Sequence, residues 1–106
     1  MNTNHSLTNL WVIFSNGTNK YAQLGCVITS NGWELKQVGT FRSDYDDRQF
    51  ANADDFKAAI EKYLKKSGIC ISRLIIDGQS LHYKSDDNFG QGIARGALLS
   101  LLTKVN

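Results

Sequence analysis

Two short apolar runs decide the fold of this chain: residues 10–14 (LWVIF), followed by Ser15 and Asn16, and residues 74–76 (LII), followed by Asp77. Short apolar runs with polar ends are typical of strands covered on both faces, which places them at the centre of a sheet. A polar residue directly after such a strand lies at the rim of the sheet. We therefore expect the chemistry of this protein at these two strand ends.

Magnesium chemistry is one function that such strand ends support. A metal-dependent nuclease built on neighbouring strands needs a carboxylate at each end, because Mg²⁺ prefers hard oxygen ligands and is held by negative charge. One strand end carries the carboxylate of Asp77, whereas the other carries the amide of Asn16. An amide offers one carbonyl oxygen and no charge. The pattern predicts an enzyme-like frame in which one metal ligand is altered.

The composition limits the class of protein. With 106 residues, 42% of them hydrophobic, we expect a single soluble domain over residues 1–106, with a polar N-terminal tail at residues 1–8. No apolar stretch approaches the roughly 20 residues of a membrane span, and the N-terminus lacks a signal-peptide pattern, which predicts a cytoplasmic protein with no membrane partner. Cys26 and Cys70 lie in apolar runs and are expected to be reduced core residues.

The charge of the chain is nearly balanced. Twelve basic and ten acidic residues give a net charge of +2, so no global field indicates a nucleic-acid partner. Lys62, Lys65 and Lys66 nevertheless cluster at one predicted helix end. Two interpretations stay open: the lysines compensate the helix dipole, or they form a phosphate-binding patch.

Apolar periodicity and turn signals predict four strands. The strands cover residues 10–15, 22–29, 33–41 and 69–77. Asn31-Gly32 is a tight-turn signal, because a two-residue hairpin needs two positive φ values that this pair tolerates. The second and third strands should therefore be antiparallel neighbours, with the third at the sheet edge. The apolar alternation of the third strand changes phase near Gln37, which indicates either a bulge or one solvated face.

Two helices complete the prediction. After a loop at residues 42–52, the first begins near Asn52 or Asp54 and ends at Ser67-Gly68. A polar segment at residues 79–88 then leads to a last helix at residues 88–104. The expected apolar face of this last helix comprises Phe89, Ile93, Ala97, Leu98 and Leu101. Gly92 and Gly96 predict its close packing on the sheet.

The resulting order β-β-β-α-β-α resembles the ribonuclease H-like superfamily. Residues 14–18 (FSNGT) are similar to the Asp-Gly-Ser element that ends the first strand of ribonucleases H, with Asn16 in place of the aspartate. Asp55, in residues 55–60 (DFKAAI), matches the metal-binding glutamate of the helix, and Asp77 matches the second aspartate. The C-terminal part resembles the RuvC-type junction resolvases, in which a glycine- and arginine-containing helix follows, like residues 92–97 (GIARGA).

The resemblance implies an α/β class with a mixed, four-stranded sheet and two helices. It implies a site in which Asn16 and Asp77 are adjacent and Asp55 forms a third wall, with Asp55 and Asp77 as catalytic and metal ligands if the protein is active. The chain ends where a fifth strand and a final acid-bearing helix would follow, and Asp86 or Asp87 can stand in for that last acid. Structural alternatives stay open: Asp55 compensates the helix dipole, Asp77 caps a turn and Asp87 caps a helix.

Three further residues are candidates for nucleic-acid contact. Arg95 and Lys84 can contact phosphate groups, and Tyr83 can stack on a base. His82, which lies between Leu81 and Tyr83, is either a general acid or a surface residue.

Three function classes remain open on the sequence. The favoured one is a non-catalytic ribonuclease H-like module without a cofactor that binds nucleic acid or a protein partner, as a small accessory or inhibitory protein. The first alternative is a divergent Mg²⁺-dependent nuclease or resolvase that uses Asp55, Asp77 and Asp86 or Asp87. The second is an unrelated α+β interaction protein. Because the predicted fourth strand lacks an outer neighbour, we also expect a homodimer through that strand or the last helix.

Overall fold

The computed structural model of the chain describes residues 7–17, 19–29, 32–35, 50 and 52–103. These residues form an α+β fold of five strands and two helices. The elements are β1 (Leu7–Asn16), β2 (Asn19–Thr29), β3 (Gly32–Leu35), α1 (Ala53–Lys65), β4 (Ile69–Ile76), β5 (Gln79–His82) and α2 (Asn88–Leu102).

The strands form one open sheet in the order β3-β2-β1-β4-β5, and the four pairings between neighbours are antiparallel. Val12 in β1 lies opposite Leu24 of β2 on one side and Leu74 of β4 on the other. The prediction of β1 as a central strand is confirmed, as is the antiparallel pairing of β2 with an edge strand β3. Several predictions lie outside the described residues. These are the turn at Asn31, the continuation of the third strand to Phe41, the irregularity near Gln37 and most of the predicted loop at 42–52.

The prediction of a mixed sheet is wrong, because β4 runs antiparallel to β1. Only residues 66–68 separate α1 from β4, and β4 begins opposite Asn16, the last residue of β1. β4 therefore starts at the end of the sheet where β1 stops and runs back toward the start of β1. The apolar pattern of β4 contains no signal for this direction.

The prediction of four strands is also wrong, because part of the polar segment at residues 79–88 forms β5. Asp77 and Gly78, with φ of 50° and 86°, join β4 to β5 in a two-residue turn that places Ile76 opposite Gln79. Two positive φ values are the property of the type I′ hairpin turn, for which Asp-Gly is a preferred pair. The outer edge of β4 is therefore paired over residues 73–76, so the expectation that the fourth strand lacks an outer neighbour is wrong for these residues.

Both helices pack on one face of the sheet. The buried cluster comprises Leu10, Val12, Phe14, Ala22, Leu24, Cys26, Ile28, Ala53, Phe56, Ile60, Ile69, Ile71, Leu74, Ala94, Leu98 and Leu102. The ring of Tyr63 in α1 lies 5.2 Å from that of Phe14 and 5.7 Å from that of Tyr21. These aromatic contacts fix the C-terminal half of α1 over the end of β1.

The predicted limits of α1 are confirmed by its caps. The Asn52 side chain accepts a hydrogen bond of 2.9 Å from the backbone N–H of Asp55, as an N-cap does. After the helix, Gly68 adopts φ of +82°, a conformation that favours glycine, and the chain turns into β4.

The orientation of α2 differs from the prediction. Its buried residues are Gln91, Ala94, Leu98 and Leu102, with Ala97 and Leu101 partly buried. Phe89 is 79% exposed and Ile93 51% exposed, so their predicted burial is wrong. A Cβ atom added at Gly92 or Gly96 would meet nothing within 4 Å, so these glycines do not pack on the sheet as predicted. The helix is rotated because the Gln91 amide bonds the edge of β4, as described below.

Candidate functional site

The two strand ends that the sequence singles out lie at opposite ends of the sheet. Asn16 is paired with Ile69, the first residue of β4, whereas Asp77 follows Ile76, which is paired with Leu10. At about 3.3 Å per strand residue, the two side chains are separated by roughly 20 Å along the β1–β4 pair. The expected adjacency of Asn16 and Asp77 is therefore wrong, and its cause is the antiparallel direction of β4.

Asp77 has a structural contact in this arrangement. Its Oδ1 accepts a hydrogen bond of 2.8 Å from the backbone N–H of Asn9, and its own N–H donates to the Asn9 carbonyl at 2.9 Å. The carboxylate thereby extends the β1–β4 ladder by one residue beyond the last strand pair. Together with its position in the turn before Gly78, this contact matches the turn-capping alternative for Asp77.

The other acidic candidates are dispersed. Asp55 is exposed in the first turn of α1 beside Asp54, where a carboxylate is favoured by the helix dipole. Asp87 is the N-cap of α2, and its Oδ1 accepts a hydrogen bond of 3.0 Å from the Gly90 N–H. Asp86 is exposed in the preceding turn. Among the described residues, no three His, Cys, Asp or Glu side chains lie close enough together to hold a metal ion.

The three candidates for nucleic-acid contact occupy different surroundings. Tyr83 is partly buried against the core, and its N–H donates to the Ser72 carbonyl at 3.0 Å. Lys84 is exposed, and its carbonyl accepts from the Gln91 side chain at 3.1 Å. Arg95 is exposed, and its Nη2 donates to the Leu64 carbonyl at 2.8 Å, which ties α2 to the last turn of α1. His82 is exposed opposite Arg73 in β5.

Gln91 is a structural residue that the sequence interpretation missed. Its Oε1 accepts from the Ile71 N–H at 3.0 Å, and its Nε2 donates to the Ile71 carbonyl at 2.7 Å. β5 pairs only with residues 73–76, so this side chain acts as a strand partner for the part of the β4 edge that β5 leaves uncovered. The sequence feature that indicates this role is a single amide side chain on the same helix face as the apolar Ala94 and Leu98.

Several basic residues lie at the end of the sheet where β1 stops and β4 starts. We call this set, Lys20, Lys62, Lys65, Lys66 and Arg95, the basic end. Lys20 is paired with Ser15, which is itself paired with Cys70. The three lysines of α1 lie in and just after its last turn, and the contact with Leu64 brings Arg95 to the same place. The nearby carboxylate on α1 is Glu61, four residues before Lys65.

The backbone at the end of α1 is satisfied largely without the lysine side chains. The Tyr63 carbonyl accepts from the Lys66 N–H at 3.2 Å, the Leu64 carbonyl accepts from Arg95, and the Lys66 carbonyl accepts from the Ile69 N–H at 3.2 Å. These bonds use groups that helix ends otherwise leave to water or side chains. The side chains of Lys62, Lys65 and Lys66 are exposed and can therefore extend toward a partner.

Asn16 borders the basic end and so has a different setting from the one the resemblance implies. It is exposed at the end of β1, and its Oδ1 lies 3.9 Å from the position that a Cβ on Gly68 would occupy. Its amide is thus next to the α1–β4 connection that carries Lys66. A neutral hydrogen-bonding side chain at this position adds polar contacts to a cationic surface without reducing its charge.

The two cysteines are free thiols on the sheet. Burial raises the pKa of the Cys26 thiol to about 12, and it also raises the pKa of Cys70, which is half-buried. A raised pKa suppresses the thiolate, the reactive form of cysteine. The expectation that Cys26 is a core residue is confirmed, and neither thiol has the lowered pKa of a nucleophile.

Comparisons with known proteins identified no relative of this chain. No family model matches the chain, and searches of the curated proteins and of the solved structures found no significant match. Within the described residues, no helix has the length and apolar character needed to cross a membrane.

Proposed function

We propose that this protein is a non-catalytic module that binds the phosphate backbone of nucleic acid through its basic end. The observation that carries the proposal is the segregation of charge: Lys20, Arg95 and the lysines of α1 lie at one end of the sheet, whereas Asp77 lies at the other. Cations gathered at one end of a protein attract a polyanion even when the net charge of the protein is only +2.

The chemistry of the basic end favours backbone contact over sequence recognition. Lysine ammonium groups are flexible point charges that bind phosphate oxygens without a fixed orientation. Arg95, whose guanidinium could provide bidentate geometry, already donates to the Leu64 carbonyl. We therefore expect binding that depends strongly on salt and weakly on nucleotide sequence, with dissociation constants of about 10⁻⁴–10⁻⁶ M near physiological salt.

The test is a binding series with fluorescently labelled single-stranded RNA, DNA duplex, RNA–DNA hybrid and four-way junction, each at about 50 and 200 mM salt. The proposal predicts binding to several of these probes at the lower salt and at least a tenfold loss at the higher one. Absence of binding to every probe at 50 mM salt would contradict it and would favour a protein partner.

The nuclease alternative has its own test. A ribonuclease H-like nuclease would bind Mg²⁺ through Asp55 and Asp77, with Asp86 or Asp87 as the third acid. We do not favour it, because the Asp77 carboxylate bonds the Asn9 N–H and the Asp87 carboxylate caps α2. A titration with Mg²⁺ or Mn²⁺ followed by NMR should give no saturable shifts at Asp55 and Asp77 below about 10 mM metal. Saturable shifts confined to these residues, together with cleavage of a probe, would replace the proposal.

A further inference from the structure

The helix α2 presents an apolar surface away from the sheet. We call Phe89, Gly92, Ile93, Gly96 and Ser100 the outward face of α2. All five residues are exposed, Phe89 by 79%, and they lie opposite the buried side of the helix that carries Ala94 and Leu98. Leu99, at the flank of this face, is 45% exposed and lines an open groove of about 190 Å³ between α1 and α2.

This face also lacks charge, which is unusual for a helix exposed to water. From Asn88 to Leu102 the sequence contains one charged residue, Arg95, and its side chain points to the Leu64 carbonyl of α1. A surface helix of a globular protein normally carries charged and polar residues on the side opposite the core. A contiguous exposed apolar surface without charge is typical of an interface.

We propose that the outward face of α2 binds the same face of a second copy of the chain, with the two helices crossing in antiparallel orientation. An uncharged surface brings no like charges together when it meets itself, and it offers no charges to select a charged partner. A twofold arrangement would place Phe89 of one copy over Gly96 of the other, and Ile93 over Gly92. The Cβ positions of both glycines are open, so each large side chain meets a small one.

The available area sets the strength of this contact. Phe89, Ile93 and Leu99 with the small residues between them offer on the order of 500 Å² per copy, or about 1,000 Å² for the pair. That value lies at the lower limit for a specific interface, so the dimer should be weak and should form at high micromolar concentration. This inference is independent of the proposed nucleic-acid function, since the basic end lies on other residues.

The experiment is sedimentation equilibrium of the full chain from about 10 µM to 1 mM, compared among three proteins. The wild type should shift from monomer to dimer within this range. Ile93→Lys adds a charge at the centre of the face, on a residue that is already 51% exposed, and should weaken dimerisation by at least tenfold. Ala58→Lys adds the same charge at an exposed position of α1 and should dimerise like the wild type.

A second variant keeps the inference testable if Ile93→Lys fails to fold. Phe89→Ser removes the most exposed aromatic ring without adding charge and should also weaken the dimer, while circular dichroism shows unchanged helix content. A wild type that stays monomeric at 1 mM would overturn the inference. A dimer that persists in both Phe89→Ser and Ile93→Lys would overturn it equally, because the contact would then lie elsewhere.

Discussion

Asn16 and Asp77 show how one residue acquires a different role when the direction of a strand changes. Both follow apolar strands, and a parallel arrangement would bring them to one rim of the sheet. With β4 antiparallel, Asn16 borders the basic end and Asp77 closes the opposite end of the ladder by bonding Asn9. The amide at position 16 is then in a cationic neighbourhood, where a carboxylate would reduce the attraction for phosphate.

Asn16→Asp tests this reassignment directly. The substitution should leave the affinity for Mg²⁺ unchanged, because Asp77 lies roughly 20 Å away along the strand pair. It should weaken the binding of single-stranded RNA by about two- to tenfold at low salt, because it adds a negative charge beside Lys66. Isothermal titration with Mg²⁺ and fluorescence anisotropy with RNA measure the two effects. A gain in Mg²⁺ affinity with NMR shifts at Asp77 would contradict the structure.

Asp77 itself should contribute to stability. Asp77→Ala removes the hydrogen bond to the Asn9 N–H and places alanine at φ of 50°, so it should lower the free energy of unfolding by about 1–2 kcal/mol. Asp77→Asn keeps an acceptor oxygen and a side chain that tolerates this conformation, so its loss should be smaller. Urea unfolding measures both. Asparagine keeps both the acceptor oxygen and the tolerance of positive φ that alanine lacks. Equal losses of stability for the two variants would therefore show that neither property contributes.

Cys26 supplies a pH-dependent prediction. Burial raises the pKa of its thiol from 9.0 in the unfolded chain to about 12 in the folded one, so the stabilisation is complete below pH 9 and is lost as the pH rises toward 12. The wild type should therefore lose stability relative to Cys26→Ala between pH 8 and 11. Urea unfolding of both proteins across this range measures the difference. A constant difference would contradict burial of the thiol.

At the level of elements, the edge of β4 is completed by two different devices. β5 pairs with residues 73–76, and the Gln91 side chain pairs with both backbone groups of Ile71. The second device requires α2 to turn Gln91 toward the sheet, which turns Phe89 and Ile93 toward solvent. One buried hydrogen-bonding requirement thus determines which face of α2 is exposed.

Gln91→Leu should therefore be strongly destabilising although leucine fits a helix well. The substitution leaves the N–H and carbonyl of Ile71 without these partners in a buried environment, at a cost of about 2–4 kcal/mol. Gln79→Leu, which changes an exposed glutamine in β5, should alter stability by less than about 0.5 kcal/mol. Thermal and urea unfolding compare the two variants. Similar stabilities would show that the Gln91 contacts carry little free energy.

At the level of the whole molecule, local signals predict the elements better than their arrangement. The apolar run of β1, the Asn52 cap of α1 and the pairing of β2 with β3 all follow from short stretches of sequence. The signal at Asp77-Gly78 is equally local, because an Asp-Gly pair between two strand-forming segments is typical of a β-hairpin turn. Because Asp77 is assigned to a metal site in the sequence analysis, neither the hairpin turn nor β5 is predicted.

The arrangement depends on information that short stretches do not contain. The direction of β4 is fixed by its pairing with β1, whose residues are distant in sequence, and the rotation of α2 follows from the unpaired edge at Ile71. The candidate site depends on both, because the basic end combines Lys20 of β2 with Lys65 of α1 and Arg95 of α2. These residues are distant in sequence, so the sequence alone predicts only the lysine cluster of α1.

The central claim, that the basic end holds a phosphate backbone, is tested most directly by the salt dependence of RNA binding in matched variants. Lys65→Gln/Lys66→Gln removes two charges from the basic end, and Lys57→Gln removes one charge from an earlier turn of α1. Because each phosphate contact contributes about 0.7 to the slope of log K against log salt for single strands, the double variant should lower the slope by about 1.4. Lys57→Gln should leave it unchanged. A double variant with the wild-type slope and affinity would contradict the claim.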